Sequence, residues 1–360
     1  MSEGQGAQAS SGSTPVDHHA HLMTSLQKYL KNMSNVLPRP YAGQDSNRLT
    51  LLYFVVSALD LVDKLDLVDR KQIIDWIYAQ QVLPDSEDPS KNTARCGFRG
   101  GPFLGNDFNE DRKCVHHDQS HIAMTYTALA VLKICGDTPS ADSPFSRVNK
   151  KAIINSLKHL QGPSGSFNPT AGESENDMRF VYCAAVISYM LGDFSGINID
   201  SAVEYILKST SYDYGMGQGP GQESHGGSTY CAVAALSLMN RLDALPNVPA
   251  LVDWLLTRQV SGFQGRVNKP PDSCYSFWIG ATLDILGKYD LVEFDLLKSF
   301  ILSCSSMGGF AKMPTMPPDV LHTYMSLCGL SLGGYPGIKP IHGALGFSRD
   351  VADQFPNPWK

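Results

Sequence analysis

Apolar residues recur at helical spacing along most of the chain. Residues 21–36, 46–67 and 71–81 carry apolar side chains three and four positions apart, which predicts amphipathic helices. Residues 184–186 and 232–235 are instead small and apolar nearly all round, which is typical of buried helices. The pattern therefore predicts an all-α protein with two kinds of helix, one buried and one half-exposed.

A glycine-rich turn followed by a polar loop and an apolar helix forms a repeating unit. The turns lie at residues 96–100, 162–167, 214–217, 262–265 and 308–310. Each following helix has an aromatic residue near its start, and these are Tyr126, Tyr182, Tyr230, Phe277 and Tyr324. The aromatics recur about every 47 residues after one longer interval, and Tyr53 fits as a sixth member.

Each repeat also contains an amphipathic helix, predicted at residues 148–160, 199–208, 248–258 and 294–304. Helix pairs of this kind either stack as an open solenoid or close into a double ring. We predict closure, because the apolar helices cannot face solvent. Their starts then share one rim of a central cavity. The Gly- and Pro-rich segment from Gly333 onward is expected to wrap the outside, with residues 346–360 as a tail.

Composition narrows the possible functions. The chain has 360 residues, 42% of them hydrophobic and 18% charged, and its net charge of -6 argues against nucleic-acid binding through bulk electrostatics. Its eight cysteines are scattered without CxxC spacing, which predicts reduced thiols in a cytoplasmic protein. The sequence shows neither a signal peptide nor an apolar run of 18 or more residues, so we expect a chain that is neither secreted nor membrane-spanning. Residues 1–20 are small, polar and aperiodic, which predicts a disordered tail.

Aligning the apolar helices on their aromatics brings polar residues into register. The position five residues before the aromatic holds His121, Asp177, His225, Asp272 and Asp319. Neighbouring repeats should therefore bring Asp272, Cys274 and His322 together on one rim. These three residue types form a zinc ligand set with one open position, at which a thiol substrate would be deprotonated to a nucleophile. The alternative is that Asp272 only caps a helix and the other two are ordinary helix residues.

A cluster of cations lies beside this predicted metal site. His225, Arg266, Lys269 and the Tyr275 hydroxyl are placed to converge on a diphosphate at helix N-termini. A hydrophobic tail would suit the apolar cavity lined by Tyr126, Tyr182, Tyr230, Phe277 and Trp278. The alternatives are solvated loop charges and plain core packing. Together the features point to alkylation of a thiol by a lipid diphosphate.

Five segments strongly resemble the beta subunit of protein prenyltransferases: GFQGRVNKPPDSCYSFWIG, ESHGGSTYC, ENDMRFVYC, HIAMTYTAL and DVLHTYMSLCGLSL. The resemblance covers residues 21–345. It implies an α/α toroid, a closed double ring of helix pairs. It also implies transfer of a prenyl group from a prenyl diphosphate to a cysteine near the C-terminus of a protein, and a heterodimer with an alpha subunit.

The resemblance also assigns roles to individual residues. It repeats the zinc ligands Asp272, Cys274 and His322, and it adds Lys312 to the diphosphate set of His225, Arg266, Lys269 and Tyr275. Lipid-binding positions are Thr50, Tyr126, Tyr182, Cys231 and Trp278. Peptide-binding positions are Thr50, Phe54, His121, Ala123, Arg179, Phe180 and Leu321.

Three positions indicate which branch of the family the chain resembles. Thr50 stands where farnesyl-transferring members have a tryptophan, and the smaller side chain leaves room for a twenty-carbon lipid. Leu321 replaces an aromatic residue, so the pocket is similar to that of type I geranylgeranyl-transferring members, which prefer a CaaX motif ending in leucine. Lys312 stands where the farnesyl-transferring members have an aspartate that engages magnesium, which implies that magnesium is not required. The cofactor that the resemblance implies is one zinc per chain.

Alternatives remain within and outside the family. The siblings are farnesyltransferase, against which Thr50 and Leu321 argue, and the Rab-specific enzyme. Terpene cyclases and inverting glycosidases need acidic motifs that are not evident. A non-catalytic helical-repeat scaffold predicts no bound metal.

Overall fold

The computed structural model describes residues 15–102, 118–141, 143–172 and 175–360. Within these ranges the chain forms thirteen α-helices and three antiparallel pairs of short strands. The helices are α1 Pro15–Asn35, α2 Arg48–Leu61, α3 Arg70–Tyr78, α4 Ile122–Ile134, α5 Lys150–Leu160, α6 Met178–Leu191, α7 Ile199–Lys208, α8 Gly226–Leu238, α9 Val248–Leu256, α10 Tyr275–Ile285, α11 Phe294–Ser303, α12 Val320–Leu332 and α13 Arg349–Ala352. The strands are β1 Gln81–Val82, β2 Gly97–Phe98, β3 Ser305–Ser306, β4 Gly309–Phe310, β5 Ile341–His342 and β6 Phe347–Ser348, paired in that order.

Six helices form a closed inner ring. They are α2, α4, α6, α8, α10 and α12; each packs against the next, and α12 packs against α2. Their side chains are buried nearly all round, as the apolar pattern predicts. The alternate helices from α1 to α11 have one buried face, such as Ala202, Tyr205 and Ile206 of α7. The predicted ring closure is confirmed.

The glycine turns place all the inner helix starts on one rim. The end of each outer helix pairs with the turn that follows it, as Gln161 does with Phe167 and Gln259 with Phe263. His121, Asp177, His225 and Asp319 then cap α4, α6, α8 and α12 by accepting hydrogen bonds from backbone N–H groups in the first turn. The register position five residues before the aromatic is therefore a capping position.

The C-terminal segment closes the opposite end of the ring. Lys339 N donates to Leu61 O at the end of α2, over 2.7 Å, and Trp359 Nε1 donates to Leu238 O at the end of α8, over 2.8 Å. Inner-ring tyrosines donate to carbonyls in between: Tyr53 and Tyr324 to Gly346, Tyr126 to Leu345, Tyr182 to Ala344 and Tyr230 to Gly343. The prediction that this segment wraps the outside is wrong, because its carbonyls satisfy the buried tyrosine hydroxyls.

The first predicted domain boundary falls inside helix α1, and the second falls in the turn between β5 and β6. Helix α1 begins at Pro15, within the tail predicted for residues 1–20, whose first fourteen residues lie outside the described part of the chain. In the tail predicted for residues 346–360, Phe347, Val351 and Phe355 are buried in the core. Their apolar positions are too few to show a period. No helix among the described residues is long and apolar enough to cross a membrane.

Candidate metal centre and anion site

The side chains of Asp272, Cys274 and His322 meet at the rim between α10 and α12. Their potential ligand atoms all lie within 4.8 Å of one another, and His322 Nε2 is 3.3 Å from Asp272 Oδ1. Asp272 and Cys274 come from the turn before α10, and His322 comes from the first turn of α12. The predicted register therefore brings these three residues together.

The backbone fixes this geometry. Asp272 Oδ1 accepts the Cys274 N–H over 3.0 Å, which turns the two side chains to the same side. Ser273 then ties this turn to the loop before α12: its N–H donates to Lys312 O over 2.9 Å, and its hydroxyl donates to Ala311 O over 2.7 Å. The turn that carries Asp272 and Cys274 is thus joined directly to the loop that precedes α12, the helix that carries His322.

Asp319 supports the site, a role that the register did not assign to it. Its Oδ1 accepts the His322 N–H over 2.9 Å, and its Oδ2 lies 2.6 Å from His322 Nδ1. A carboxylate on the far nitrogen of a histidine fixes the ring orientation and leaves Nε2 to face a metal. The signal available in the sequence was an aspartate at a capping position three residues before the predicted ligand.

The charge balance of the cluster fits a divalent cation. Burial lowers the His322 pKa, but the carboxylates of Asp272 and Asp319 raise it overall to about 9. Burial would raise the Asp272 pKa, yet hydrogen bonds from His322 and Cys274 bring it below its ordinary value. Burial and the neighbouring Asp272 raise the pKa of the Cys274 thiol well above its usual range. A bound metal would supply the positive charge that lets all three groups act as ligands.

The predicted anion-binding face lies beside this cluster, around His225 and Tyr275. His225 Nδ1 accepts the N–H groups of Gly227 and Ser228, so the proton of the neutral ring is on Nε2 and points at the Tyr275 hydroxyl, 2.9 Å away. Burial and Arg266 lower the His225 pKa, which keeps the ring neutral at pH 7. The Tyr275 O–H is then left to donate to an anion.

The predicted cations differ in their exposure and in their partners. Arg266 is half-exposed and pairs with Glu223, Nη1 to Oε2, over 2.9 Å. Lys312 Nζ lies 3.7 Å from Asp272 Oδ2, and Lys269 is exposed in the loop. The N-terminus of α8 offers no free N–H in its first turn, because Gly226 N donates to Gly265 O and the next two N–H groups are capped by His225. At this helix end the predicted diphosphate would therefore have to be bound by side chains, because the backbone N–H groups are already paired.

The predicted lipid-binding residues fall into two groups. Tyr126, Tyr182 and Cys231 are 8%, 6% and 5% exposed, so they form walls, and the two hydroxyls bond to the closing segment. Thr50 and Trp278 are half-buried on the inner ring. The Thr50 hydroxyl contacts Met124 Sδ at 3.3 Å, and Trp278 packs on Tyr230 with ring centroids 5.0 Å apart.

The predicted peptide-binding residues lie on four neighbouring inner helices. Phe54, Ala123 and Leu321 are half-buried apolar side chains on α2, α4 and α12. His121 stacks edge-on against Phe180 at 5.9 Å, and burial lowers its pKa to about 4.

Arg179 is not a free cation at the rim. Its guanidinium pairs with Asp177 at 2.5 Å and with Glu175 at 2.9 Å. A carboxylate that binds Arg179 must therefore share it with these two acids.

Known proteins share this fold and much of this sequence. The prenyltransferase alpha-alpha toroid domain matches residues 22–347. The geranylgeranyl transferase type-1 subunit beta of Dictyostelium discoideum is 44% identical over 341 residues, which cover 91% of this chain and 95% of that protein. The protein of the same description from Arabidopsis thaliana is 41% identical over 352 residues, covering 94% and 90%.

A solved structure shows the same architecture. The chain superposes on Candida albicans protein geranylgeranyltransferase-I complexed with GGPP with a TM-score of 0.81, covering 94% of this chain and 99% of that one at 24% identity. The toroid predicted from the repeat is confirmed. Because the domain match spans most of the chain and the two relatives align over nearly their whole length, the chain belongs to the prenyltransferase alpha-alpha toroid family, together with the type-1 geranylgeranyl transferase beta subunits.

Proposed function

We propose that the chain is the catalytic beta subunit of a zinc-dependent protein geranylgeranyltransferase type I. It transfers a geranylgeranyl group from geranylgeranyl diphosphate to the cysteine thiol of proteins with a C-terminal CaaX motif, mostly ending in leucine. The relatives named above support the reaction class. The observation that carries the proposal is the convergence of Asp272, Cys274 and His322 within 4.8 Å beside the His225–Tyr275 pair.

The reaction is a substitution at the first carbon of the lipid. A carbon–sulfur bond forms, the carbon–oxygen bond to the diphosphate breaks, and the diphosphate leaves with the electron pair. The thiol proton is lost to solvent. A zinc ion held by Asp272, Cys274 and His322 would lower the pKa of the acceptor thiol, so that it reacts as a thiolate at neutral pH.

The chain's own residues act on the leaving group and on the ligand geometry. Arg266, Lys269 and Lys312 supply positive charge for the diphosphate, and Tyr275 donates a hydrogen bond to it. His225 orients the Tyr275 hydroxyl through the 2.9 Å hydrogen bond.

The proposed cofactor is one zinc ion per chain, and we propose that magnesium is not required. Lys312 supports the second point, because its ammonium lies beside the metal cluster, 3.7 Å from Asp272. An ammonium there can neutralise a diphosphate without a second metal ion.

Substrate selection is proposed to lie on the inner ring. Thr50 and Trp278, with the walls of Tyr126, Tyr182 and Cys231, would hold the lipid. A second group of inner-ring residues would hold the peptide: Thr50, Phe54, His121, Ala123, Arg179, Phe180 and Leu321. The half-buried apolar side chains among them suit a C-terminal leucine.

The proposed partner is a prenyltransferase alpha subunit in a heterodimer, and the proposed substrates are CaaX proteins such as small GTPases in the cytoplasm. The relatives are themselves described as subunits, which supports a heterodimer.

Co-expression with an alpha subunit tests the function. We expect transfer of geranylgeranyl in preference to farnesyl, and to peptides ending in leucine in preference to serine. Cys274→Ser should lose both zinc and transfer, whereas Cys135→Ala, which removes a buried thiol at the end of α4, should keep both. A scaffold would bind no zinc and transfer neither lipid.

Thr50→Trp should shift lipid choice toward fifteen carbons, because the larger ring would fill space beside Met124. Competition between the two lipid diphosphates measures the shift, with Thr50→Val as the isosteric control. An unchanged preference for geranylgeranyl diphosphate in the tryptophan variant would refute the steric explanation.

A further inference from the structure

The Arg266 guanidinium already has an anionic partner within its own rim. Glu223 Oε2 lies 2.9 Å from Arg266 Nη1, through one hydrogen bond. The two side chains are 60% and 42% exposed, respectively. An exposed pair with one hydrogen bond is weak, so a stronger anion can displace it.

The backbone next to both residues of the pair is held at the start of α8. The Gly226 N–H donates to Gly265 O over 2.8 Å, which pins the residue before Arg266 to the start of α8. Glu223 lies two residues before His225, the cap of that same helix. The contact therefore follows from the way two adjacent repeats are joined.

The pair lies within electrostatic reach of the anion-binding face. Gly265, the residue before Arg266, lies against the Tyr275 ring, since a Cβ there would be 2.0 Å from its Cζ, and the Tyr275 hydroxyl is 2.9 Å from His225 Nε2. Burial lowers the His225 pKa, Arg266 lowers it further, and Glu223 raises it. Arg266, His225 and Tyr275 thus form one cluster, and the Glu223 carboxylate stands at its edge. An anion bound to Arg266 would meet the negative charge of Glu223 at close range.

We propose that Glu223 competes with the diphosphate for Arg266. Because the Arg266 guanidinium is shared between Glu223 and the bound diphosphate, the diphosphate binds more weakly and is released faster. This inference rests on the proposed function, because it assumes that Arg266 binds diphosphate. Glu223 is a positioning residue here, because it does not bind the anion itself. It acts by occupying Arg266 and by repelling the anion with its negative charge.

The experiment measures the Kd of inorganic diphosphate for the full heterodimer by titration calorimetry. Glu223→Gln should bind it about threefold to tenfold more tightly, because the competing contact and the like charge are both removed. The KM for geranylgeranyl diphosphate should fall by a similar factor. The gain should shrink at high salt, because exposed charges are screened there. Equal or weaker binding by Glu223→Gln would overturn the inference.

Two further variants complete the design. Glu175→Gln removes a carboxylate from an arginine pair of similar exposure, at 2.9 Å from Arg179, and should leave the diphosphate Kd unchanged. Arg266→Gln should weaken diphosphate binding, and adding Glu223→Gln to it should give no more than the small gain expected from removing a like charge.

Failure of the inference can be told apart from failure of the proposed function. If Arg266→Gln weakens binding but Glu223→Gln does not strengthen it, Glu223 is no competitor and the diphosphate site stands. If Arg266→Gln has no effect on the Kd, the proposed diphosphate site itself is wrong, and the inference falls with it.

Discussion

Asp319 contacts His322 twice, through the backbone N–H and through the ring. The first contact caps α12 and the second holds Nδ1, so one side chain both starts the helix and aims the candidate ligand. Asp272 has the same double use before α10, where it caps the turn and faces His322. At the scale of single residues, two capping aspartates, Asp272 and Asp319, fix the geometry of the candidate metal centre.

Asp319→Asn separates these two uses. An asparagine still accepts the backbone N–H, so the helix should keep its cap. The negative charge that Asp319 places beside the His322 ring is lost, and zinc affinity should fall about tenfold to a hundredfold. Competition with a chelator measures the affinity, and Asp177→Asn, at the corresponding position of α6, is the control. Unchanged zinc affinity would show that Asp319 only caps the helix.

Lys312→Asp should create magnesium dependence. The ammonium lies 3.7 Å from Asp272, so the exchange replaces a positive charge beside the metal cluster with a carboxylate. The diphosphate then lacks one counter-charge, which a magnesium ion can supply. Transfer should be low without magnesium and rise on titration. A flat magnesium titration would refute the role given to Lys312.

At the scale of helices and turns, glycines let the repeat turns pack against the inner helices. A Cβ at Gly265 would lie 2.0 Å from Cζ of the Tyr275 ring, and one at Gly262 would lie 2.1 Å from the Phe300 ring. The turn before α10 can therefore approach Tyr275, the proposed anion-binding tyrosine, only because these positions carry no side chain.

Gly265→Ala should displace Tyr275. We expect a loss of about 1–3 kcal/mol in the free energy of unfolding and weaker diphosphate binding, because the ring must move away from His225. Gly162→Ala is the matched control, since its Cβ would meet nothing closer than 3.8 Å. Denaturant unfolding and calorimetry measure the two effects. Equal behaviour of the two variants would contradict the packing argument.

The repeat made the inner ring and the metal triad predictable from sequence. Aromatic spacing gave the register, and the register placed Asp272, Cys274 and His322 on one rim although 48 residues separate Cys274 from His322. The Glu223–Arg266 pair was not predictable in this way, because side-chain pairing across two loops leaves no periodic signal. The register also gave no sign that two nearby acids, Glu175 and Asp177, pair with Arg179.

At the scale of the whole molecule, the C-terminal segment and a belt of inner-ring tyrosines close one end of the ring. The tyrosine belt consists of Tyr53, Tyr126, Tyr182, Tyr230 and Tyr324. Tyr53 lies at the centre of this belt: its hydroxyl meets those of Tyr126 at 2.8 Å and Tyr324 at 2.9 Å, as well as Gly346 O. The inner-ring tyrosines were predictable from the repeat, but their hydrogen-bond partners were not. These partners are backbone carbonyls of a Gly- and Pro-rich segment, which no residue pattern marks. The candidate metal centre lies at the opposite rim, and the closed end holds the ring together.

Tyr53→Phe should destabilise the closed end. Removing a hydroxyl that links three partners should cost about 1–3 kcal/mol in the free energy of unfolding. Hydrogen exchange should rise in residues 341–348, where β5 and β6 pair. Tyr212→Phe, at a tyrosine that is 95% exposed, is the control and should change neither. Exchange that stays at the wild-type rate would show that the belt does not hold the segment.

The central claim is that a metal at Asp272, Cys274 and His322 drives lipid transfer to a thiol. The most direct test is to return zinc in steps to the chelated heterodimer and to measure geranylgeranyl transfer to a leucine-ending peptide at each step. We predict that transfer rises with zinc and saturates at one ion per chain, and that His322→Ala shows neither binding nor transfer. Full transfer by zinc-free protein would contradict the account.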